Sequence, residues 1–426
     1  MKTILLLLGL AWGGCSVAYA LTRHVAPPES GITPQAPYTN WATAATSLHT
    51  AVAAAGAGDT ILVSNGTYYL TNHVTIGNLT LRSWNNGALD RDGTILDGNN
   101  YPGKPVTNRC LVLSHVSALV EGVTVTNGFS IQNAWWAGGG GVLMSAGTLR
   151  NCLVTGNTAM PHPDWAFKVE QGGGGVYAYS TNSIVTNCDL VANVASNNGG
   201  GAYIFNGGQI WNSRILKNRS YNASFGGGGL KLEYALGLGA SVHNSIIAGN
   251  TASSAGGGVY LRGDTYVRNC LVVSNTAPSG GGVLVYSVAG DTSHLSLENC
   301  TIVSNASGVY KQQTGTNTFR NSILYYNGTY NFADGTGGRY AFTNCCLTNA
   351  GVKGTGNITN APQFAGFAAG DFRLAAGSPG VDAGLNQDWM AGAADVAGRP
   401  RLDRLVRIVD MGCYERVHGG TLLLLK

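Results

Sequence analysis

This sequence contains few charged residues. Aspartate, glutamate, lysine and arginine make up 11% of its 426 residues, and the formal net charge is +4. An ordinary globular protein carries about 25% charged residues. This shortage excludes a coiled coil, and regularly placed Val, Ile and Leu argue against a disordered chain. The small net charge, with no long basic run, argues against nucleic acid as a partner.

Long apolar segments are also missing. Beyond the N-terminus no stretch reaches the roughly 18 apolar residues of a membrane span, so no transmembrane span is predicted. The N-terminus itself has Lys2, a short apolar core over 4–12, and the small-x-small sequence Ala18-Tyr19-Ala20. This pattern is typical of an export signal, so we expect a secreted or cell-surface protein. A lipoprotein signal cut before Cys15 is the alternative.

Cysteine spacing argues against metal sites and disulfides. None of the nine cysteines forms a Cys-x-x-Cys pair or a Cys/His cluster with zinc spacing. Several follow an asparagine at a position that serine occupies in other copies, which indicates a slot for a small buried side chain. The residues in this slot are Cys152, Cys188, Ser213, Ser245, Cys270, Cys300, Ser322 and Cys345. No metal and no cofactor are predicted.

Glycine, by contrast, is abundant and recurs in runs. The 63 glycines include six runs, at 138–141, 172–175, 199–201, 226–229, 256–258 and 280–282. An alternating segment follows each run, as in Val176-Tyr177-Ala178-Tyr179, and its first and third residues are aliphatic or small. Period-two alternation predicts a strand whose first and third side chains face a core.

A second motif follows in each unit: an asparagine, then Cys or Ser, and another asparagine six residues after the first. The pairs are Asn151/Asn157, Asn187/Asn193, Asn212/Asn218, Asn244/Asn250, Asn269/Asn275, Asn299/Asn305 and Asn321/Asn327, with 121–127 as a variant first copy. Stacked asparagines can form a ladder between coils, and asparagine also tolerates the left-handed backbone of tight turns.

Repeated short strands without intervening helices predict an all-β solenoid, a right-handed parallel β-helix. A β-propeller is the alternative, but it needs longer blades of four strands. The only helical pattern, over 41–55, predicts an N-terminal capping helix. The predicted organisation is a signal peptide at 1–20, a cap at 21–57, β-helix coils at 58–348 and a C-terminal cap at 349–426.

The opening coils resemble a known family. The sequences 58–63 (GDTILV), 66–68 (GTY) and 121–128 (EGVTVTNG) are similar to the first coils of pectate-lyase-like right-handed β-helix proteins. The glycine runs followed by Val or Ala and Tyr also resemble polymorphic outer membrane protein repeats, which are associated with adhesion. These resemblances imply a β-helix that binds a polysaccharide or the surface of another cell.

The C-terminal part resembles the choice-of-anchor Q segment of bacterial surface β-helix proteins. The residues that carry the resemblance are Phe364, 371–374 (DFRL), 378–379 (SP), 381–384 (VDAG), Asp395, 398–401 (GRPR) and 410–415 (DMGCYE). In that family the segment usually precedes a sorting or anchoring tail. Eleven residues follow Glu415, so we expect no such tail here.

The second and fourth residues after each glycine run are expected to face solvent. Stacked about 4.8 Å apart, they would form one exposed stripe whose aromatic rings suit sugar rings. The stripe consists of Tyr177, Tyr179, Tyr203, Phe205, Lys231, Glu233, Tyr260, Arg262, Leu284 and Tyr286. The alternative is that the tyrosines only stabilise the sheet by cross-strand packing.

Two segments before glycine runs border this stripe: Trp135-Trp136, and the long segment 160–170 with Trp165. Long loops on a regular scaffold concentrate function, so the three tryptophans are predicted to wall a groove above the tyrosines. A hydrophobic plug is the alternative.

Two functions fit these patterns. The first is binding of a polysaccharide or cell-surface glycan through the tryptophans and the stripe aromatics, without catalysis. The second is a lyase acting on uronic-acid-containing glycans, with Lys231, Arg262 and Glu233 as its catalytic group.

The lyase would need a base and a cation that neutralises the sugar carboxylate, and bound calcium is the alternative to a cationic side chain. The candidates are Lys231 or Lys168 as base, Arg262 or Arg219 as cation, and Glu233 with Asp164 as calcium ligands. The sequence contains no copy of the pectate-lyase catalytic signatures. No oligomeric state is predicted.

Overall fold

A computed structural model gives the fold. It describes residues 20–101, 108–132, 138–161, 172–221, 226–233, 239–286, 294–312, 316–335, 337, 339–348, 353–402 and 407–416. Within these ranges, successive strands pair in parallel with the strands one coil before and one coil after. This stacking confirms the predicted all-β parallel β-helix.

The largest sheet has thirteen strands. They are Thr22–Val25, Thr60–Ser64, Thr80–Trp84, Leu119–Glu121, Gly147–Arg150, Ser183–Thr186, Gln209–Trp211, Ala240–His243, Thr265–Arg268, His294–Glu298, Thr316–Arg320, Tyr340–Thr343 and Gly354–Thr355. The next sheet along each coil has eleven strands. They are Gly66–Tyr69, Thr94–Asp97, Thr124–Thr126, Leu153–Thr155, Asp189–Val191, Arg214–Leu216, Ile246–Ala248, Leu271–Val273, Thr301–Val303, Ile323–Tyr325 and Cys346–Leu347.

The third large sheet has ten strands, and it includes every segment that follows a glycine run. They are Val74–Ile76, Leu111–Leu113, Val142–Met144, Val176–Ala178, Ala202–Phe205, Leu230–Glu233, Val259–Arg262, Val283–Tyr286, Val309–Gln312 and Phe332–Asp334. A small sheet of five strands lies between the last two, formed by Phe129–Gln132, Thr158–Pro161, Val194–Ala195, Arg219–Ser220 and Thr251–Ala252.

Alternate side chains of the three large sheets point inward and form one continuous core. Register keeps them in line, because Val142 pairs with Leu111 on one side and Val176 on the other. Since a strand's side-chain period is two, this register keeps every aliphatic first and third position inside.

A buried asparagine ladder confirms the predicted role of the second asparagine of each motif. Each side-chain amide donates to the Oδ1 atom of the next asparagine at 2.9–3.1 Å. The ladder runs through Asn157, Asn193, Asn218, Asn250, Asn275, Asn305, Asn327 and Asn331. The same amides also donate to backbone carbonyls of the preceding coil, as Asn218 does to Leu190 at 2.8 Å.

The first asparagine of each motif has a different role. Its φ lies between 48° and 57°, in the left-handed region, and it makes the turn from the thirteen-stranded to the eleven-stranded sheet. The residues are Asn151, Asn187, Asn212, Asn244, Asn269, Asn299, Asn321 and Asn344. The Cys/Ser slot that follows is buried, and all eight cysteines within the described residues are free, so a small buried side chain is the correct interpretation there.

The N-terminal cap differs in detail from its prediction. The helix is real but shorter, spanning Leu48–Ala54, and Trp41–Thr43 forms a separate 3-10 turn. Residues between them are extended because Ala45 pairs with Val25, accepting from the Ala26 amide at 2.9 Å. The strand Thr22–Val25 lies within the predicted cap, precedes the strand Thr60–Ser64 and pairs with it in parallel.

The C-terminal segment returns along the side of the solenoid. Its antiparallel strands Phe364–Gly366 and Asp371–Leu374 and the chain around Met411 pack on outward side chains of the eleven-stranded sheet, such as Val303 and Ile323. Short 3-10 turns lie at Pro28–Ser30, Phe367–Ala369 and Asp388–Met390.

Candidate functional site

The outer face of the ten-stranded sheet contains most of the predicted site residues. Register aligns Tyr177, Tyr203, Lys231 and Tyr260 on consecutive coils, one row at the second position after each glycine run. A second row, at the fourth position, contains Phe205, Glu233, Arg262 and Tyr286 in register, and Tyr179 lies just beyond its strand. Both rows point away from the core, as the alternation predicted.

The prediction that the second-position row is exposed is wrong. Tyr177, Tyr203 and Tyr260 expose only 6%, 4% and 4% of their surface. The rings of Tyr177 and Tyr203 stack across coils with centroids 5.0 Å apart. Leu143 and Leu284 extend the row at both ends and are also buried. The row therefore forms an apolar layer outside the sheet, as the packing alternative expected.

The fourth-position row lies over this layer and is partly open to solvent. Tyr179, Phe205, Arg262 and Tyr286 are half-buried. Two of the rings rest against the second position of the same coil: Tyr179 on Tyr177 at 5.6 Å and Phe205 on Tyr203 at 5.9 Å between centroids. The Tyr286 ring rests against Tyr260 of the preceding coil at 6.0 Å. The accessible aromatic surface therefore consists of fourth-position side chains that pack on the buried second-position row.

A charged cluster interrupts this aromatic surface, and it brings the three candidate catalytic residues together. Lys231 Nζ lies 2.6 Å from Glu233 Oε2, and Arg262 Nη1 lies 2.6 Å from Glu233 Oε1. The Tyr203 hydroxyl donates to Glu233 Oε2 at 2.6 Å. Lys231 also lies over the rings of Tyr203 and Tyr260, at 4.9 and 5.4 Å from their centroids.

Electrostatics keep Glu233 ionised. Burial alone would raise its pKa, but Lys231, the Tyr203 hydroxyl and Arg262 lower the pKa below its ordinary value. Burial also raises the pKa of Tyr260, with Tyr286 contributing. The cluster is a buried carboxylate with two cations and a phenol, all within hydrogen-bonding distance of its oxygens.

This geometry limits what Lys231 can do chemically. A general base needs a free lone pair on its nitrogen within reach of the substrate proton. The Lys231 ammonium is only 3% exposed and is held by Glu233 and by Asn198 Oδ1 at 3.2 Å. Arg262 is more accessible, so an anionic group approaching this face would meet its guanidinium first.

Asn198 is the residue of this cluster that the sequence analysis missed. It stands where other runs have their first glycine, such as Gly172, and the glycine run after it is one residue shorter. This departure from the repeat is the sequence feature that could have identified Asn198.

Trp135, Trp136, Trp165, Lys168 and Asp164 fall outside the described residues. Arg219 belongs to the five-stranded sheet, where its guanidinium stacks on Tyr221 at 4.2 Å from the ring centroid.

Two kinds of feature are absent from the described part of the chain. No group of three His, Cys, Asp or Glu side chains there could hold a metal ion. No helix there is long and apolar enough to cross a membrane.

Comparison with known proteins agrees with the fold. A family model described as a right-handed beta helix region matches residues 191–347. No curated protein sequence matches the chain significantly.

The solved structures that are similar to the chain include a pectate lyase and two pectin methylesterases. The pectate lyase Pel9A has 15% identity and a TM-score of 0.47, with 94% of this chain and 98% of that chain covered. The pectin methylesterase PemA from Erwinia chrysanthemi has 12% identity and a TM-score of 0.26, covering 78% and 80%. A pectin methylesterase in complex with a hexasaccharide has 14% identity and a TM-score of 0.23, with the same coverage. The family model and the stacked parallel sheets together show that the chain has a right-handed parallel β-helix fold.

Proposed function

We propose that this chain is an exported β-helix protein that binds a polysaccharide or a cell-surface glycan without cleaving it. The observation that carries the proposal is the half-buried fourth-position row, Tyr179, Phe205, Arg262 and Tyr286, fixed on a buried aromatic layer. Aromatic faces at one-coil spacing suit successive sugar rings, and Arg262 adds a donor for acidic or hydroxyl groups.

Rigidity favours binding by this surface. Each fourth-position ring already rests against a buried ring, so little side-chain entropy is lost when a ligand packs on it. Strand pairing fixes the spacing of Phe205, Arg262 and Tyr286 before any ligand arrives. Preorganised aromatic surfaces are typical of binding sites that recognise shape.

The test is binding of the purified chain to a glycan array and to insoluble polysaccharides. We expect Tyr179→Ala combined with Tyr286→Ala to weaken retention about tenfold, a loss of about 1.4 kcal/mol. Tyr266→Ala is the matched control, because Tyr266 is 41% exposed and lies on the thirteen-stranded sheet. Equal retention of the double variant and the control would exclude this surface.

A lyase is the second candidate, supported by the convergence of Lys231, Glu233 and Arg262 in one cluster. It requires Lys231 to leave Glu233 when substrate binds. Incubation with polygalacturonate and alginate, with and without calcium, tests it through the absorbance of unsaturated product. Product formation that disappears in Lys231→Ala would establish the lyase and refute the binding-only proposal.

A further inference from the structure

An open cleft lies at the N-terminal end of the solenoid, far along the chain from the aromatic row. Its volume is about 330 Å³, and it is lined by Trp41, Ser64, Asn65, Trp84, Asn85 and Asn86. Pockets for small ligands have volumes of about 300–1,000 Å³. The cleft is therefore large enough for one or two sugar units but not for a long chain segment.

Two indole rings on different elements contribute the apolar surface of the cleft. Trp84 ends the strand Thr80–Trp84 and pairs with Ser64 of the neighbouring strand. Trp41 begins a 3-10 turn of the N-terminal cap, and its ring meets the His24 ring edge-on, 4.5 Å between centroids. Both tryptophans are half-buried, so part of each ring remains open to solvent.

The polar side of the cleft is also fixed. After Trp84 the chain turns through Asn86 and Gly87, whose φ values of 49° and 94° match a type I′ hairpin turn. Asn85 and Ala88 close this turn with backbone hydrogen bonds of 2.9 and 3.0 Å.

Asp90 orients two of the lining amides. Its Oδ2 atom accepts from Asn65 Nδ2 at 2.6 Å and from Asn85 Nδ2 at 2.9 Å, and its Oδ1 accepts from the Gly93 amide at 2.9 Å. The shared carboxylate fixes which way both amides point. A ligand therefore meets amides that need no reorientation.

The chemistry of the lining indicates the class of ligand. None of the six lining residues is charged. Indole rings pack on the apolar C–H faces of sugar rings, while amides and hydroxyls donate to and accept from sugar hydroxyls. An acidic sugar would find no cation in the lining, whereas the aromatic row offers Arg262.

We propose that this cleft is a second glycan subsite, which binds one or two neutral pyranose units by stacking on Trp84 and Trp41. It rests on residues that the proposed aromatic row does not use. Either surface can therefore bind without the other.

The experiment measures binding of neutral hexasaccharides of glucose, xylose, mannose and galactose to the full chain by calorimetry and tryptophan fluorescence, with oligogalacturonate as the acidic comparison. We expect at least one neutral probe to bind, and Trp84→Ala and Trp41→Leu each to weaken it about tenfold. Trp84→Phe should keep most of the affinity because it keeps a ring. Trp211→Ala is the control, since Trp211 lies on the same sheet and stacks on His243 instead.

Thermal melting of each variant shows whether it is folded, and Trp41→Leu provides a second test if Trp84→Ala unfolds. The proposal is overturned if no neutral probe binds, if only oligogalacturonate binds, or if both cleft variants bind like the wild type. Tyr179→Ala with Tyr286→Ala should leave affinity at the cleft unchanged, so failure of the aromatic row and failure of the cleft are separate results.

Discussion

The two asparagines of each coil are only six residues apart, yet one sits at a left-handed turn and the other in a buried ladder. The first position requires a positive φ, and asparagine enters the left-handed region at little cost. The second is chosen for its side chain, which both donates and accepts between coils. The same residue type therefore serves two unrelated physical requirements in one repeat.

Removal of a central ladder amide should be costly. Asn218→Ala deletes the donors to Leu190 O and Asn250 Oδ1 and the acceptor for the Asn193 amide and backbone N–H. Each buried group left unpaired costs about 1–3 kcal/mol, so we expect a loss of roughly 3 kcal/mol. Urea unfolding followed by circular dichroism measures it.

Asn327→Ala is the matched comparison, because Asn327 belongs to the same ladder but is half-buried. Water can replace part of its bonding, so its loss should be smaller, about 1 kcal/mol. Equal effects at both positions would mean that the ladder amides contribute little beyond their packing.

His243 should make stability depend on pH. Burial, with help from Arg268, lowers its pKa from 6.5 to about 3. Since the unfolded chain then binds more protons between these values, the free energy of unfolding falls as pH drops from about 6.5 towards 3. Between pH 7 and pH 4.5 we expect a loss of about 2 kcal/mol from this residue.

His243→Phe isolates that contribution, because it keeps a ring to stack on Trp211 but cannot titrate. The variant should lose less stability than the wild type between pH 7 and pH 4.5 in thermal melts. If the two melting temperatures fall in parallel, other groups account for the acid sensitivity.

At the scale of elements, the glycine runs and the asparagine ladder depend on each other. A Cβ added to the last glycine of a run would lie 2.8–3.0 Å from the amide group of a ladder asparagine. These glycines are Gly141, Gly175, Gly201, Gly229, Gly258 and Gly282. The runs thus give the ladder the space it needs, beyond the sharp turn at their positive-φ glycines.

Gly229→Ala tests this dependence. The new Cβ would lie 2.7 Å from Gly258 O and 2.9 Å from Asn250 Nδ2, so neighbouring coils must separate or the ladder must break. We expect a loss of about 1–3 kcal/mol, as for other overpacked sites. Thermal melting measures it, with Gly77→Ala as the control because its Cβ meets nothing within 4 Å.

An unaffected Gly229→Ala would show that the coils can spread without cost. In that case the glycine runs would serve the turn alone, and the positive-φ residue Gly227 should be the sensitive position instead.

At the scale of the whole molecule, the C-terminal segment packs along the side of the solenoid. Left-handed asparagines of the later coils hold it: the amides of Asn269, Asn321 and Asn344 donate to Ala394, Leu385 and Ala383 carbonyls at 2.9, 2.9 and 3.0 Å.

Buried ionisable residues stabilise the turns of this segment. Asp395 accepts from the Ala397, Arg399 and Glu415 amides, and buried Arg401 pairs with Glu415 at 3.1 Å. Asp395, Arg401 and Glu415 therefore have a structural role in this chain.

Asn321→Gly should weaken the attachment of the C-terminal segment to the solenoid. Glycine keeps the left-handed turn but removes the side-chain N–H that donates to Leu385 O and the oxygen that accepts from the Leu385 N–H at 2.7 Å. Two lost bonds correspond to about 2 kcal/mol, so local opening should rise at least tenfold. Hydrogen exchange of 381–412 measures it, with Asn187→Gly at the equivalent turn of an earlier coil as the control. Unchanged exchange would show that apolar packing alone holds the segment.

The repeat made the fold predictable. Strand alternation, glycine runs and paired asparagines are local patterns, and stacking identical units admits few arrangements other than a solenoid. The shortened helix was less predictable, because Ala45 is extended only through its pairing with Val25.

The sequence predicted which way the side chains of the candidate site point, but not how exposed they are. Alternation alone determined that Tyr177, Tyr203 and Tyr260 point outward, since successive side chains on a strand face opposite sides. Only the tertiary structure decided that they are buried, because burial depends on neighbouring coils and on the ring above each of them. The convergence of Lys231, Glu233 and Arg262 likewise depends on coil register, and the placement of Trp41 and Trp84 along one cleft depends on how the cap packs on the first coils. No local sequence pattern encodes either arrangement.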